Sequence, residues 1–477
     1  MSELLDAIIT QAQFAEDDEG QPKATGVVHE FVERVASEAE GSTKGAAVGI
    51  SEAIAQIDAE ISKQLSEIMH HEKFQNLEGS WAGLNSLVNN TECSSRLRLR
   101  AFCATADELV KDLTTAVEFD QSHLFKQLYE TEYGSFGGSP YSMIVLDHEF
   151  TAGNKDMSFM REMAGVAAAC HAPLVTSAGA KFFGMDDYTQ LSNPRDMSRV
   201  LDSSEYAKWR SFRETEESRY VALTLPRVLA RVPYGPDGMP VDGVDFVESV
   251  DGTDANDFVW TSAAWKLAER VTNAFAQHGW TSAIRGVEGG GLVQNLPAYN
   301  FKTTAGEMDL VCPTETPITD RREKELSDLG FLPLVHCRGT DTAAFFGGQT
   351  ANKAKTYDDD DASSNALLSS RLPYIFAASR FAHYFKVMLR DKVGSFETAD
   401  SVQNFLQSWV SNYILLDDNG SHLSKAKFPL REARVDVREV PGSPGAYTAI
   451  AYLRPHFQLE EVDASIRLVA NLPAPAA

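Results

Sequence analysis

Between residues 345 and 368 the chain reads FFGGQTANKAKTYDDDDASSNALL, which gathers a glycine pair, two lysines and four consecutive aspartates. Glycine turns can cradle phosphate, lysine can hold it, and aspartates can hold Mg²⁺ or Ca²⁺. The spacing argues against each chemistry. In GGQTANK the lysine stands at the wrong offset for a phosphate loop and no Ser or Thr follows it, and GxxxxGK[ST] occurs nowhere. GVEGGG (286–291) and GSFGG (134–138) lack the GxGxxG order and read as tight turns that need positive φ. A calcium loop spaces its ligands at alternate positions around a central glycine, whereas the adjacent side chains of Asp358, Asp359, Asp360 and Asp361 diverge. These aspartates fit a helix start, where exposed N–H groups and the helix dipole favour negative charge. The expected arrangement is a strand closed by FFGG, a solvated loop QTANKAKTYDDDD, and a helix beginning near Ala362.

Four other places carry residues suited to proton or nucleophile chemistry. They are His70 with His71, Cys170 with His171, His336 with Cys337, and Asp147 with His148 and Glu149. None has the flanking order of a known nucleophile or zinc motif, since GxSxG and HExxH are both absent. A lone His or Cys beside apolar residues is ordinarily packed core or a satisfied surface group. No catalytic residue, cofactor site or metal ligand is expected, and the residues alone support an acidic α/β protein without a recognisable active site.

The elements that would position these residues follow from periodicity and composition. With 477 residues, 43% apolar and 10% aromatic, the chain can fill the cores of about two to four domains. Its 68 acidic and 43 basic residues give a formal charge of −25, a field that repels nucleic acid and anionic lipid and suits a basic protein surface. Cys93, Cys103, Cys170, Cys312 and Cys337 form no CxxC pair, which points to a reducing compartment. No basic n-region opens the chain and no run of about 18 apolar residues occurs, so a cytoplasmic protein without a membrane span is expected.

Leu4, Leu5, Ile8 and Ile9 share one helix face ahead of AEDDEGQPKATG, a flexible tether. AAVGISEAIAQIDAEISKQLSEIMHHEKF reads as a helix, and Phe74, Leu77, Trp81, Leu84, Leu87 and Val88 form the apolar stripe of the next. RLRLRAFC (96–103) alternates like a strand, and 141–150 reads as a buried strand after a turn. MREMAGVAAACHAPLVTSAG reads as a helix and then a strand, an α/β unit with parallel pairing. Residues 187–256 read as long loops and short helices, a surface elaboration. There follow a helix over TSAAWKLAERVTNAFAQHGW, a strand–turn–strand over LPLVHCRGTDTAAFF, and a long helix kinked or divided at Pro373. A helix over 399–413, a hairpin over 428–453 and a strand over 457–472 complete the chain.

Five long stretches then change the functional reading. FQNLEGSWAGLNSLV, YGSFGGSPYSMIVLDHEF, GWTSAIRGVEGGGLVQNLP, the run from LPLVHCRG through YDDDDASSNALL to RDKVGSF, and LRPHFQLEEVDASIRLVANLP resemble, in order and spacing, the large sheath subunit of bacterial type VI secretion systems, the TssC/VipB family. The likeness covers 74–473. It implies a structural protein, not an enzyme, with a contractile tail-sheath-like α/β (mixed α+β) fold: mixed sheets flanked by helices, and C-terminal antiparallel strands. It implies an N-terminal helical segment and linker (1–60), a core domain (61–365) and a C-terminal domain (366–477).

The resemblance also implies partners. These are a small sheath subunit of the TssB/VipA family, an inner tube of Hcp, baseplate components, and a ClpV-type AAA+ ATPase that disassembles the contracted sheath. Leu4, Leu5, Ile8 and Ile9 then become the ATPase-recognition face. The inter-subunit strands, joined by β-augmentation, are expected to carry Val435, Val437, Tyr447, Ala449, Phe457, Leu459, Ile466 and Leu468. The 399–413 helix becomes the candidate surface facing the tube. Neither nucleic acid nor membrane insertion is implied. Two other readings stand beside this one, the sheath of a related phage-tail-like particle and an enzyme with an unfamiliar site.

Overall fold

The computed structural model describes residues 26, 29–30 and 46–456, apart from 194–195, 237, 243, 304–305, 394, 396–397, 418 and 440–446. The chain gathers into two compact units, one drawing on the chain up to Gln75, on 232–258 and on 299–311, the other on 76–231, 259–298 and the chain from Cys312 onward.

In the smaller unit, helix α1 (Ala46–Met69) carries the serine spacing that its sequence sets at four residues. Ser62 Oγ and Ser66 Oγ accept from the backbone N–H groups of Val247 and Ser249, at 3.3 and 3.1 Å. His70 Nε2 lies 3.1 Å from Glu248, one turn further on. An extended segment is thus held against the helix by polar groups. A short antiparallel pair, Asn300–Lys302 with Met308–Leu310, completes this unit.

Helix α2 (Glu72–Asn89) is separate from α1, because the chain turns at His70–His71. Gly79 and Gly83 let α2 approach its neighbours closely. A Cβ would lie 2.2 Å from the Trp260 carbonyl oxygen at the first and 2.3 Å from the Trp265 ring at the second. Leu87 belongs to this inward face at 4% exposure, not to the stripe of Phe74, Leu77, Trp81 and Val88 that sequence spacing grouped with it.

The larger unit is built on a sheet. Its strands are β1 (Ile144–Phe150), β2 (Leu174–Ala178), β3 (Val221–Leu225), β4 (Leu292–Val293), β5 (Leu332–His336) and β6 (Ala343–Phe345), in the spatial order β1-β2-β3-β5-β6-β4. The first four in that order run parallel and the last pairings are antiparallel. Helix α3 (Asn154–Cys170) makes the crossover from β1 to β2, and helix α4 (Ala263–His278) covers the other face. Leu223 packs with Met160 and Val166 of α3, and Ala222 packs with Ala264 and Leu267 of α4. Strands clothed on both faces are continuously apolar rather than alternating.

That physics explains one correction. Residues 187–256 were expected to be a surface elaboration, yet β3 lies at the middle of the sheet. Trp209 and Phe212 are buried at 1% and 0%, with Trp209 stacked on Phe331. A five-residue strand without alternation gives little periodic signal between Pro- and Gly-rich loops. RLRLRAFC also differs: Leu97 and Leu99 do turn partly inward, but the segment joins no strand ladder among the described residues.

Helix α5 (Asp360–Ser369) starts two residues before Ala362, and helix α6 (Leu372–Lys392) follows with Pro373 in its first turn. Proline there opens a helix rather than kinking one, since its missing N–H would be unpaired anyway. The loop ahead is solvated only in part. Thr350 and Ala351 are wholly buried, and Asn352 Nδ2 donates to the carbonyls of Arg213 and Thr215 and to Ser218 Oγ. Helix α7 (Ala399–Ser411), the short helix α8 (His422–Lys427), and the antiparallel strands β7 (Leu430–Glu439) and β8 (Tyr447–Pro455) end the described chain.

Candidate assembly surfaces

The residues with enzyme-like chemistry are not brought together. On β1, Asp147 accepts from Trp265 Nε1 at 3.2 Å, while its neighbour His148 faces Asp156 and Phe159. Alternation sends successive side chains to opposite faces. Cys170 is buried, and burial pushes its thiol up to about 12. His171 ends α3 in the left-handed region (φ 51°) and lies 3.1 Å from the Tyr220 hydroxyl. His336 pairs with Cys312 at 3.4 Å rather than with adjacent Cys337, and its Nε2 sits 2.7 Å from the Thr340 carbonyl oxygen. Burial pushes the Cys312 thiol up, but His336 and Thr314 together more than reverse this through their hydrogen bonds and the His336 charge, leaving it below its ordinary value. Among the described residues, no three His, Cys, Asp or Glu side chains group to hold a metal ion.

The C-terminal hairpin has a different character. Its inner face buries Val435 at 2% and Val437 at 8% against Val402, Leu406 and Val410 of α7. These two valines therefore face the chain's own core. The outer edge of β7 is also occupied. Gln407 Oε1 accepts from Val435 N–H at 2.9 Å, Gln403 Oε1 accepts from Val437 N–H at 3.0 Å, and Gln407 Nε2 donates to the Ala433 carbonyl at 3.0 Å. Two glutamines four apart on α7 stand where a neighbouring strand would.

Among the described residues, no helix glutamines cap strand β8 in this way. In an antiparallel pair, residues directly opposite either exchange both hydrogen bonds or neither. Val435 and Val437 spend their N–H groups outward, so their partners Ala451 and Ala449 also direct backbone groups away from the hairpin. The same register places Tyr447 and Leu453 on that outer edge, opposite Glu439 and Ala433. Among the described residues this sheet has two strands, so no third strand pairs with β8 there. Of the expected inter-subunit residues, Tyr447 and Ala449 lie on this edge. Phe457, Leu459, Ile466 and Leu468 lie outside the described residues, as do Leu4, Leu5, Ile8 and Ile9.

Two helix faces escaped the sequence reading as surfaces. On α1, Ile54, Ile57, Ile61, Leu65 and Ile68 are each at least 38% exposed. On α2, Phe74, Leu77, Trp81 and Val88 are at least 41% exposed. Their steps of three and four average three and a half, the period of a coiled-coil seam. Both helices are inverted relative to an ordinary surface helix. α1 turns Ser62 and Ser66 inward, α2 turns Gly79 and Gly83 inward together with Leu87, and both show a stripe of large apolar residues outward. The usable signal was the narrow seam, read at sequence level only as general helical spacing.

The fold is mixed α/β with antiparallel C-terminal strands. Two family models match the chain. VipB, described as EvpB/VC_A0108, tail sheath N-terminal domain, matches residues 51–352, and its companion, the tail sheath gpW/gp25-like domain, matches 361–472. A curated relative, the type VI secretion system sheath protein TssC1 of Pseudomonas aeruginosa, is 47% identical over 428 residues, which is 89% of this chain and 86% of that one. Two chains in cryo-EM structures of the anti-feeding prophage are similar at a distance. One is from its baseplate (13% identity, 82% of this chain and 87% of that one, TM-score 0.38), the other from its contracted helical sheath (12%, 82% and 86%, 0.31). At that distance neither neighbour fixes the place of any residue here. The two family models and the TssC1 relative establish that the chain belongs to the VipB/EvpB family of tail sheath proteins.

Proposed function

We propose that the chain is the large subunit of a type VI secretion contractile sheath. It pairs with a small sheath subunit of the TssB/VipA type, polymerises in the cytoplasm around an Hcp tube on a baseplate, and drives the tube outward by contraction. A ClpV-type ATPase recycles the contracted sheath through Leu4, Leu5, Ile8 and Ile9. The observation that carries this reading is 47% identity to a sheath protein over 89% of the chain. The surfaces support it. An unpaired strand edge of one protomer that accepts a strand of the next makes a head-to-tail contact, and such contacts generate helical filaments.

The apolar seam of α1 suits a partner helix. Asp58, Glu60 and Glu67 flank it, so a partner with basic flanking positions is favoured. The outward side of α7 shows Ser401, Asn404, Ser408 and Ser411 beside one exposed aromatic, Phe405, a mainly polar surface that suits a face turned to an inner tube. Co-production with the small subunit should yield hollow tubes in negative-stain micrographs. Changing Ile57 and Ile61 together to Asp should abolish both co-purification and tubes, since two charges would be buried unpaired. A wild-type pair that forms no tubes under any assembly condition would sink this reading.

A further inference from the structure

Three segments far apart in the chain meet around one sulfur in the larger unit. The 312–315 segment bridges to the short strand Val228–Leu229: Val228 and Thr314 pair antiparallel, and Leu229 N–H donates to the Pro313 carbonyl at 2.8 Å. Half-buried Cys312 thereby meets His336 at the end of β5, its Sγ 3.4 Å from His336 Nδ1 and 3.3 Å from Thr314 Oγ1. The far side of the ring is fixed too. Cys337 N–H donates to the Thr342 carbonyl at 2.9 Å and Thr340 N–H to the Cys337 carbonyl at 3.1 Å. These bonds close a turn through Gly339 (φ 76°) that holds the Thr340 carbonyl oxygen 2.7 Å from His336 Nε2.

A carbonyl oxygen only accepts, so Nε2 carries a proton and Nδ1 is the basic nitrogen turned to the sulfur. A proton passed from Sγ to Nδ1 leaves a thiolate held by the imidazolium and by Thr314. Burial opposes charge on both groups, and their mutual bond together with Thr314 and Thr340 outweighs it, so the thiol lies below its ordinary value and the imidazole above its own. The charged groups on the three segments do not bond to this pair among the described residues. Arg227 and Glu315 hold each other at 2.7 Å, Arg231 holds Glu78, and Arg338 and Asp341 stand in the β5–β6 turn. Elsewhere, Cys93, Cys103 and Cys337 are exposed with no hydrogen bond to their sulfurs among the described residues, and Cys170 is buried.

From this geometry we infer that Cys312 is an oxidation site, converted to a sulfenic acid by hydrogen peroxide with His336 as the proton donor. The Cys312 thiolate attacks one peroxide oxygen, and the S–O bond forms as the O–O bond breaks. The departing hydroxide takes the Nδ1 proton of His336 and becomes water. Sulfur gives up two electrons, peroxide accepts them, and the imidazole returns to its neutral form. A leaving hydroxide needs that proton, so peroxide exploits the ring as well as the thiolate. Iodoacetamide, whose iodide leaves unprotonated, exploits the thiolate alone.

The test is treatment of the full-length chain with hydrogen peroxide at neutral pH, with dimedone as the trap and peptide mass spectrometry as the readout. Sulfenic acid is expected at Cys312 about tenfold or more faster than at Cys93, Cys103 and Cys337, although those three are the more exposed thiols. His336→Leu should slow the peroxide reaction at Cys312 by about tenfold or more and slow iodoacetamide alkylation by a smaller factor. An unchanged thermal melt would show that this variant folds, and the wild-type pH profile decides without it. The reactivity of an ordinary thiol falls about tenfold per unit below about pH 8, and at Cys312 that fall should begin at lower pH. The inference is overturned if Cys312 reacts no faster than the exposed thiols, if its rate follows the ordinary profile, or if folded His336→Leu keeps wild-type peroxide reactivity. Equal slowing towards both reagents overturns the proton-donor role of His336.

Discussion

The six-stranded sheet and the C-terminal hairpin use one backbone chemistry to opposite ends. In the sheet, β2 and β3 have strand partners on both sides and helices on both faces, and even their hydroxyls are spent internally. Thr176 donates to the His148 carbonyl at 2.8 Å and Thr224 to that of Thr176 at 2.9 Å. In the hairpin, one face is packed, one edge is capped by Gln403 and Gln407, and among the described residues no strand joins the β8 edge. A bare edge is a liability in a monomer and a coupling device in a polymer. On the proposed function, the difference places stability in the sheet and assembly in the hairpin. Capping one edge with side chains also determines which edge can couple.

The sharpest attack on that division is proline at the β8 edge. Ala449 directs its N–H outward, so Ala449→Pro removes no bond of the hairpin but deletes a donor that an incoming strand needs. Tube formation should be lost altogether, while the unfolding free energy of the unassembled chain from chemical denaturation stays within about 1 kcal/mol of wild type. Tubes of normal yield would show that coupling does not run through this edge.

The second effect acts on the sheet region and should spare the hairpin. His383, on α6, is 2% exposed with its Nε2 2.9 Å from the Cys170 carbonyl at the end of α3. Burial lowers its pKa from 6.5 to about 4. The bond to Cys170 opposes this, and Arg380, His171 and Lys386 add to the lowering. Above pH 6.5 the imidazole is neutral whether folded or not. As pH falls from 6.5 towards 4, the unfolded chain takes up a proton that the fold refuses, so stability declines through that window. The loss attributable to this residue approaches about 3 kcal/mol. Urea unfolding at several pH values should show a shallower decline in His383→Gln than in wild type. Equal slopes would mean that His383 is protonated in the folded protein.

Much of this organisation was legible, and the failures are instructive. Helices with wide apolar faces, such as α4, were readable because a local period reports a half-buried element, and β5 and β6 were readable as two short apolar runs either side of a Gly-containing turn. β3 was not, since burial on both faces erases alternation. The burial of Thr350, Ala351 and Asn352 was hidden for another reason. Their partners, Ser370, Val221 and Arg213, come from distant parts of the chain, and a polar tetrapeptide looks solvated until those partners arrive. The same non-locality paired His336 with Cys312 in place of Cys337. For the hairpin, the strands that carry Tyr447 and Ala449 were readable from alternation around the PGSPG turn. The glutamine caps were not, because a helix glutamine carries no sign of which strand it meets.

Those glutamines carry the smallest expected effect and test the reason the two edges differ. Gln407→Leu deprives Val435 N–H and the Ala433 carbonyl of partners, and Gln403→Leu deprives Val437 N–H. The β7 edge is only partly buried, so water can replace some of what is lost, and each substitution should cost about 1 kcal/mol in denaturant unfolding. The second consequence is more diagnostic. With both caps removed, β7 presents free backbone groups like those of β8, so the double variant gains a second sticky edge. Size-exclusion chromatography should then show concentration-dependent association even when Ala449→Pro blocks β8. A monomeric triple variant would mean that the α7 helix body, rather than its glutamines, keeps strands away from β7. The asymmetry of the hairpin would then be one of bulk and not of hydrogen bonding.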